Sequence, residues 1–307
     1  MNSNDLKIKT VVCYGEVLWD IFPTQTKPGG APMNVAYHLR KFGIDSRMIS
    51  RVGADNLGDR LNYLLKGWNI PANYCQPDTN HETGQVLATV LPGNEMCYTI
   101  QEGAAWDFIE WNEQQAELVR NADAFVFGSL VTRNETSRET LYRLIEEAKF
   151  KVFDINLRPP FYSRDILEYL LGKCDLLKLN ENEVALLAQW YSLECDDEVG
   201  CVRFLQKEFN ISEIIVTKGS EGATYYTLTE SCSLSAYLVE VKDTVGSGDS
   251  FLAAFLAKKL QGAPAEEGMK YATALGAFVA SHEGACPEYN LENLNEFITK
   301  KEPELAF

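Results

Sequence analysis

From residue 123 onward the chain alternates between short apolar runs and segments of helical spacing, and this rhythm constrains the fold more than any other feature. Strand candidates fall at 123–128, 151–155, 176–179 and 214–217, with helical stretches near 136–149, 164–172, 182–191 and 197–209. Strands joined through helices run parallel when each helix crosses back over the sheet. The pattern therefore predicts an α/β fold with a mostly parallel central sheet and helices on both faces.

The first third is less regular. Residues 11–15 read as a buried strand, and Gly29 to Asn34 opens a helix that runs through 35–42 and ends at Gly43. Residues 48–53 read as a strand, and 57–66 as an amphipathic helix closed by Gly67. Runs at 85–91 and 95–100 flank Pro92, Gly93 and Asn94, a hairpin signal. Residues 237–242 are strand-like, and three helices near 247–261, 264–282 and 290–300 follow without intervening strands. No repeat, low-complexity tract or linker divides the chain, so one domain over residues 1–307 is expected, with the hairpin as an appendage.

The charge balance excludes some partners. Forty-four acidic against 28 basic residues give a net charge of −16, which argues against nucleic acid and anionic membrane. It leaves room for an anionic ligand, because backbone amides bind phosphate without a basic surface. Residues 1–7 are polar, without a signal-peptide core, and no apolar run approaches the ~18 residues that span a bilayer. The 8 cysteines contain no Cys-x-x-Cys pair, and four of them (Cys13, Cys97, Cys174, Cys201) sit in apolar runs. Buried free thiols in a reducing cytoplasm are the expectation. His38, His81 and His282 lack metal-ligand spacing, which leaves zinc chemistry and histidine-based triads little support.

Chemistry concentrates in Asp243-Thr-Val-Gly246-Ser247-Gly248-Asp249, just before a helix. Glycines there let the backbone turn tightly and aim several N–H groups outward, and the helix dipole favours an anion at that point. A carboxylate would repel such an anion, so Asp249 is either a general base for a substrate hydroxyl or the helix N-cap. Four other segments lie where ligands gather in α/β sheets, at strand carboxyl ends: Gly15 to Asp20, Asp154 to Arg158, Asn180 to Glu183, and Thr217 to Gly222. Three of the four have a plain alternative. Asp20 could be a surface acid, Asn180 a helix cap, and Gly219 and Gly222 ordinary turn residues.

With these motifs in place, the chain resembles the ribokinase-like (PfkB) family of carbohydrate kinases over nearly its full length, with the fructokinases most similar. The residues that carry the resemblance are Asp243 to Asp249, Gly29 and Gly30 followed by Asn34, Asn180 with Glu183, Gly219 and Gly222, and the stretch Arg51 to Gly58. The resemblance implies ATP-dependent transfer of the γ-phosphoryl group to a primary hydroxyl of a free sugar, fructose foremost. Asp249 would be the base, and the amides of Gly246, Ser247 and Gly248 would stabilise the transferring group. Asp20, Gly29, Gly30 and Asn34 would bind sugar hydroxyls. Thr217, Lys218, Gly219 and Gly222 would meet the nucleotide, and Asn180 and Glu183 would organise magnesium, with Glu183 acting through water. Asp243, Val245 and Gly284 match positions that contribute oxygens to a monovalent-cation site, which makes potassium a second expected ion. A small β lid, formed from about 12–28 and 82–105, would close over the sugar, and lids of this kind make a homodimer plausible.

The segment from Thr24 to Asn34 carries one basic residue, Lys27, too little for a sugar-phosphate acceptor. Arg158 points the other way, since such an arginine suits the acid group of 2-keto-3-deoxygluconate. A nucleoside kinase and a catalytically silent sugar- or nucleotide-binding regulator are the remaining alternatives. A Rossmann dehydrogenase would need Gly-x-Gly-x-x-Gly after the first strand, where Glu16 to Asp20 stand instead.

Overall fold

The structure is a computed structural model that describes residues 8–90, 96–192 and 197–301. In chain order the elements begin with β1 (Thr10–Tyr14), β2 (Leu18–Ile21), β3 (Thr26–Gly29), α1 (Ala31–Lys41), β4 (Asp45–Gly53), α2 (Asn56–Gly67), β5 (Cys75–Asp78), β6 (Gly84–Val90) and β7 (Met96–Ile100). The alternating part holds α3 (Glu113–Asn121), β8 (Ala124–Gly128), α4 (Glu135–Ile145), β9 (Lys151–Asp154), α5 (Arg164–Leu171), β10 (Leu176–Asn180), α6 (Glu181–Trp190), α7 (Glu198–Phe209) and β11 (Glu213–Thr217). Then come β12 (Ala223–Tyr226), β13 (Ser231–Leu234), α8 (Ser247–Leu260), α9 (Ala265–Ala280) and α10 (Leu291–Lys301).

Nine strands form the central sheet in the order β13-β12-β11-β10-β9-β8-β1-β4-β5. Pairing is parallel from β11 across to β5, while β12 and β13 add an antiparallel edge. The alternation of β1 shows why a central strand reads as an unbroken apolar run. Val11 and Cys13 pack into one core with α1, α8 and α9, while Val12 and Tyr14 pack into the core on the opposite face. Both faces are covered, as the sequence pattern predicts.

A second sheet of four strands runs β3-β2-β6-β7, with β2 and β6 parallel and both outer pairs antiparallel. Residues 12–14, expected in the small lid, run instead in the central sheet as part of β1. The expected turn at Pro92, Gly93 and Asn94 lies outside the described residues.

Residues 237–242 are not a strand. Tyr237 is buried and Val239 packs on the core while Leu238 faces solvent, but Val241 is exposed too, so the alternation ends before it and belongs to neither sheet. This segment instead leads to the backbone bonds that Lys242 and Asp243 donate to Ala280 O, at the end of α9. Among the described residues no helix is long and apolar enough to cross a membrane. Cys13, Cys75 and Cys174 are buried and unbridged.

Candidate active site

The carboxyl ends of β1, β9, β10 and β11 meet at a cavity of about 560 Å³, also lined by the small sheet and by the start of α8. Gly246 occupies the N-cap of α8 with φ at 77°, and a Cβ there would be driven into Ala285, whose Cα would lie 2.6 Å away. The first-turn N–H groups of α8 therefore lie at the cavity wall, where the helix dipole favours an anion. Of the three amides expected to face that anion, the N–H of Ser247 bonds Thr244 O at 3.3 Å. The Ser247 hydroxyl donates to Gly276 O at 3.0 Å, so this residue anchors the loop onto α9.

Asp249 stands in the first turn of α8 but does not cap it, since no side chain caps this helix. Its carboxylate is buried and lines the cavity, and its Oδ2 accepts a 2.8 Å hydrogen bond from Asn34 Nδ2. Asn34 is held in that orientation from behind, because Cys286 Sγ lies 3.4 Å from its Oδ1 and donates to it. Burial, reinforced by the charge of Asp154, pushes the Asp249 carboxyl up to about 6, while Asn34, Lys178 and Arg158 pull the other way.

Lys178 is the residue that sequence reasoning passed over. Its buried ammonium sits 2.9 and 2.8 Å from the two oxygens of Asp154, and a Cβ on Gly248 would lie 3.2 Å from it. Burial works to neutralise this lysine, but Asp154, with Asp249 and Glu183 behind it, offsets that and the net shift is upward. The sequence signal was a lysine inside the apolar run 176–179, where a charge survives only with a partner.

Asp20, Gly30 and Asn34 line the same cavity, with Asn34 in direct contact with Asp249. Gly29, expected with them, lies behind the cavity wall, and a Cβ on it would push the Asp20 carboxylate aside. Burial, then the nearby charge of Asp243, raises the Asp20 carboxyl to about 6, with Lys27 and Arg158 opposing. Glu16, also at the wall, is raised to about 7 by burial, and its Oε2 has no partner. Arg158 lines the same cavity and donates through Nη1 to Leu157 O at 3.0 Å.

Of the four residues expected at the nucleotide loop, Thr217 reaches the cavity. Lys218 does not: its ammonium lies 3.0 Å from both Glu198 Oε1 and Thr224 Oγ1. Gly219 turns with φ at 52° over open space, whereas a Cβ on Gly222 would strike the backbone of Leu234 to Ala236. Gly222 thus serves the β12–β13 edge. Asn180 and Glu183 form a reciprocal capping box at α6, with Glu183 N donating to Asn180 Oδ1 at 3.0 Å and Asn180 N to Glu183 Oε2 at 2.8 Å. Leu157 N donates to the other Glu183 oxygen at 2.8 Å. Burial raises the Glu183 carboxyl and those backbone donors hold it back. The stretch from Arg51 to Gly58 is structural in the same way, because Asp55 accepts from Gly58 N and from Thr83 N, each at 2.8 Å.

A family model described as pfkB family carbohydrate kinase matches residues 1–291. The chain belongs to that family. It is 28% identical over 306 residues to the probable chloroplastic fructokinase-6 of Arabidopsis thaliana, covering 90% of this chain and 79% of that protein. A fructokinase from Xylella fastidiosa with bound ATP aligns with a TM-score of 0.85 at 20% identity, over 95% of this chain and 99% of that one. A fructokinase double mutant from Vibrio cholerae, in a form with fructose, ADP and potassium ion bound, aligns with a TM-score of 0.80 at 23% identity, over 95% and 98% of the two chains.

Two ions are expected of this pfkB kinase, and its residues treat them differently. Magnesium takes oxygen ligands and keeps several waters, usually bound by one or two carboxylates plus substrate phosphates. Asp154, Asn180 and Glu183 line the cavity together, and Glu183 has already spent one lone pair of each oxygen on the backbone. Among the described residues no cluster of three or more His, Cys, Asp or Glu forms a metal cage. The set fits a hydrated ion held through water. The monovalent site fits poorly for one reason, that a fixed cation, Lys27, already stands against its carboxylate. Val245 and Gly284 turn N–H groups to Asp243, at 3.1 and 3.0 Å, and the Lys27 ammonium lies 3.5 Å from the same carboxylate.

Proposed function

We propose that this kinase transfers the γ-phosphoryl group of ATP to a primary hydroxyl of a free hexose, converting fructose to fructose 6-phosphate. The observation that carries the reading is Asp249, a buried carboxylate in the first turn of α8 that caps nothing, with a raised pKa and a fixed donor in Asn34. In this reading Asp249 accepts the proton of the sugar hydroxyl while the hydroxyl oxygen, now freed of it, bonds to the γ-phosphorus. The bond from that phosphorus to the bridging oxygen breaks, and ADP leaves with the electron pair. The N–H groups at the start of α8 and the Lys178 ammonium would stabilise charge on the transferring group. The chemistry that magnesium supplies when bound is neutralisation of the triphosphate, and Asp154, Asn180 and Glu183 would hold its waters.

A neutral acceptor is favoured by the charges around the sugar end. Asp20 and Glu16 are acidic, and the cavity-lining cations are Arg158 and Lys178, the latter already paired with Asp154. The small sheet presents Leu18, Phe22, Val86 and Tyr98 to the cavity and would act as the lid that excludes water. An ADP-release assay across fructose, glucose, mannose, ribose, adenosine and 2-keto-3-deoxygluconate tests the reading. Fructose should have the highest kcat/KM. If the keto acid or the nucleoside leads by more than about tenfold, the hexose assignment is wrong and Arg158 becomes an acid-binding group.

A further inference from the structure

Lys27 belongs to β3, on the edge of the small sheet, yet its ammonium reaches across to the loop that starts α8. It lies 3.5 Å from Asp243 Oδ2, 3.8 Å from Glu283 Oε2 and 5.4 Å from the centre of the Phe22 ring. Its stem packs so closely on Gly284 that a Cβ there would lie 3.2 Å from Lys27 Cδ. The pair is mostly shielded, with side-chain exposures of 18% for Lys27 and 20% for Asp243. Asp243 is the clamp of this region. One oxygen takes Val245 N, at the start of the glycine loop, and the other takes Gly284 N, next to the Ala285 that packs on Gly246. Whatever holds the Asp243 charge therefore also holds the turn carrying Gly246 and Gly248.

We propose that the Lys27 ammonium is the resident monovalent cation of this loop, a positioning residue that makes phosphoryl transfer independent of added potassium. The proposal rests on the phosphotransferase reading above, and it ties the small sheet to the reaction loop through one ion pair. An ammonium and a potassium ion carry the same charge and meet a carboxylate in similar ways. They differ in that a covalently tethered cation costs no binding entropy and is present at every salt concentration. Loss of the lysine would leave a shielded carboxylate without its counter-charge, and the vacated space would admit a small free cation.

The test uses the full chain with Lys27→Ala, and Lys27→Gln in case the first is unstable. Turnover of fructose and melting temperature are read in chlorides of potassium, sodium, ethylammonium and choline at constant ionic strength. Wild type should vary by less than about twofold across the salts, with no cation-specific change in melting temperature. Lys27→Ala should lose about tenfold or more in choline, regain much of it in potassium or ethylammonium, and melt higher in those two salts than in choline. Wild type activated more than about threefold by potassium overturns the proposal, and so does a variant whose loss is equal in every salt. If wild type phosphorylates nothing, the kinase reading fails, and the melting temperatures still decide on the cation. A shift confined to the variant supports the proposal, and a potassium shift in wild type refutes it.

Discussion

Replacing Asp249 by Asn separates chemistry from stability, and the structure assigns opposite signs to the two. Asp249 caps nothing, so the substitution sacrifices no helix cap, and the Asn side-chain oxygen can still accept from Asn34 Nδ2. The carboxyl rises from 3.8 to about 6 on folding, equivalent to ~3 kcal/mol between the two protonation states. Because the folded value is the higher one, the folded state holds this proton more tightly than the unfolded chain does. The stability it contributes is complete below the unfolded value and is lost as pH rises through about 6. Asp249→Asn should therefore be more stable than wild type at about pH 8, by up to ~3 kcal/mol, and the gap should close towards about pH 4. Activity moves the other way. Asn cannot take the hydroxyl proton, so kcat should fall by a factor of about 10²–10⁴ while both substrates still bind. Steady-state kinetics and melting curves at several pH values read both effects. A variant keeping more than about a tenth of wild-type kcat, or a stability difference that ignores pH, would refute the reasoning.

Wild-type kcat/KM should drop below pH ~6, where Asp249 and its cavity neighbour Asp20 both take up protons, and Asn34→Leu should move that limb to higher pH, because Asp249 loses its donor; a pH profile with an unmoved limb would contradict the pairing. Lys178→Met leaves Asp154 buried without its partner and should cost about 3–5 kcal/mol by denaturant unfolding, with part restored when Asp154→Asn is added; full additivity would argue against a coupled pair. Asp20→Asn should raise the KM for fructose, at a cost of about 1–3 kcal/mol, and leave the KM for ATP unchanged, since Asp20 lines the cavity and the proposed reading puts the sugar against it; equal changes in both would mean a general disturbance.

The alternation from residue 123, the glycine turn before Asp249 and the sites at strand ends were legible in the sequence because each is a local matter. A strand buried on both faces shows as an apolar run, and a helix start shows in its turn residues. The same locality explains the error at 237–242. Alternating apolar residues report one buried face, and Tyr237 and Val239 do pack on the core, but periodicity carries no information about a hydrogen-bonding neighbour. Residues 223–226 and 231–234, each too short for a periodic signal, became β12 and β13 by pairing antiparallel onto the edge at β11.

Tertiary structure alone decided the rest, since it turned on which distant groups met. Asp249 could have been cap or base on sequence grounds, and the Gly246 cap with the Asn34 contact excluded the first. The spacing of Asn180 and Glu183 already allowed a capping box, but only the packed chain brings Leu157 N to the other Glu183 oxygen and sets both residues at the cavity. Lys178 found Asp154 across a parallel strand pair, and Lys27 found Asp243 from another sheet. A sequence names the charges it carries. Only the packed chain brings them within a few ångströms, where burial strips away water and makes each pairing matter.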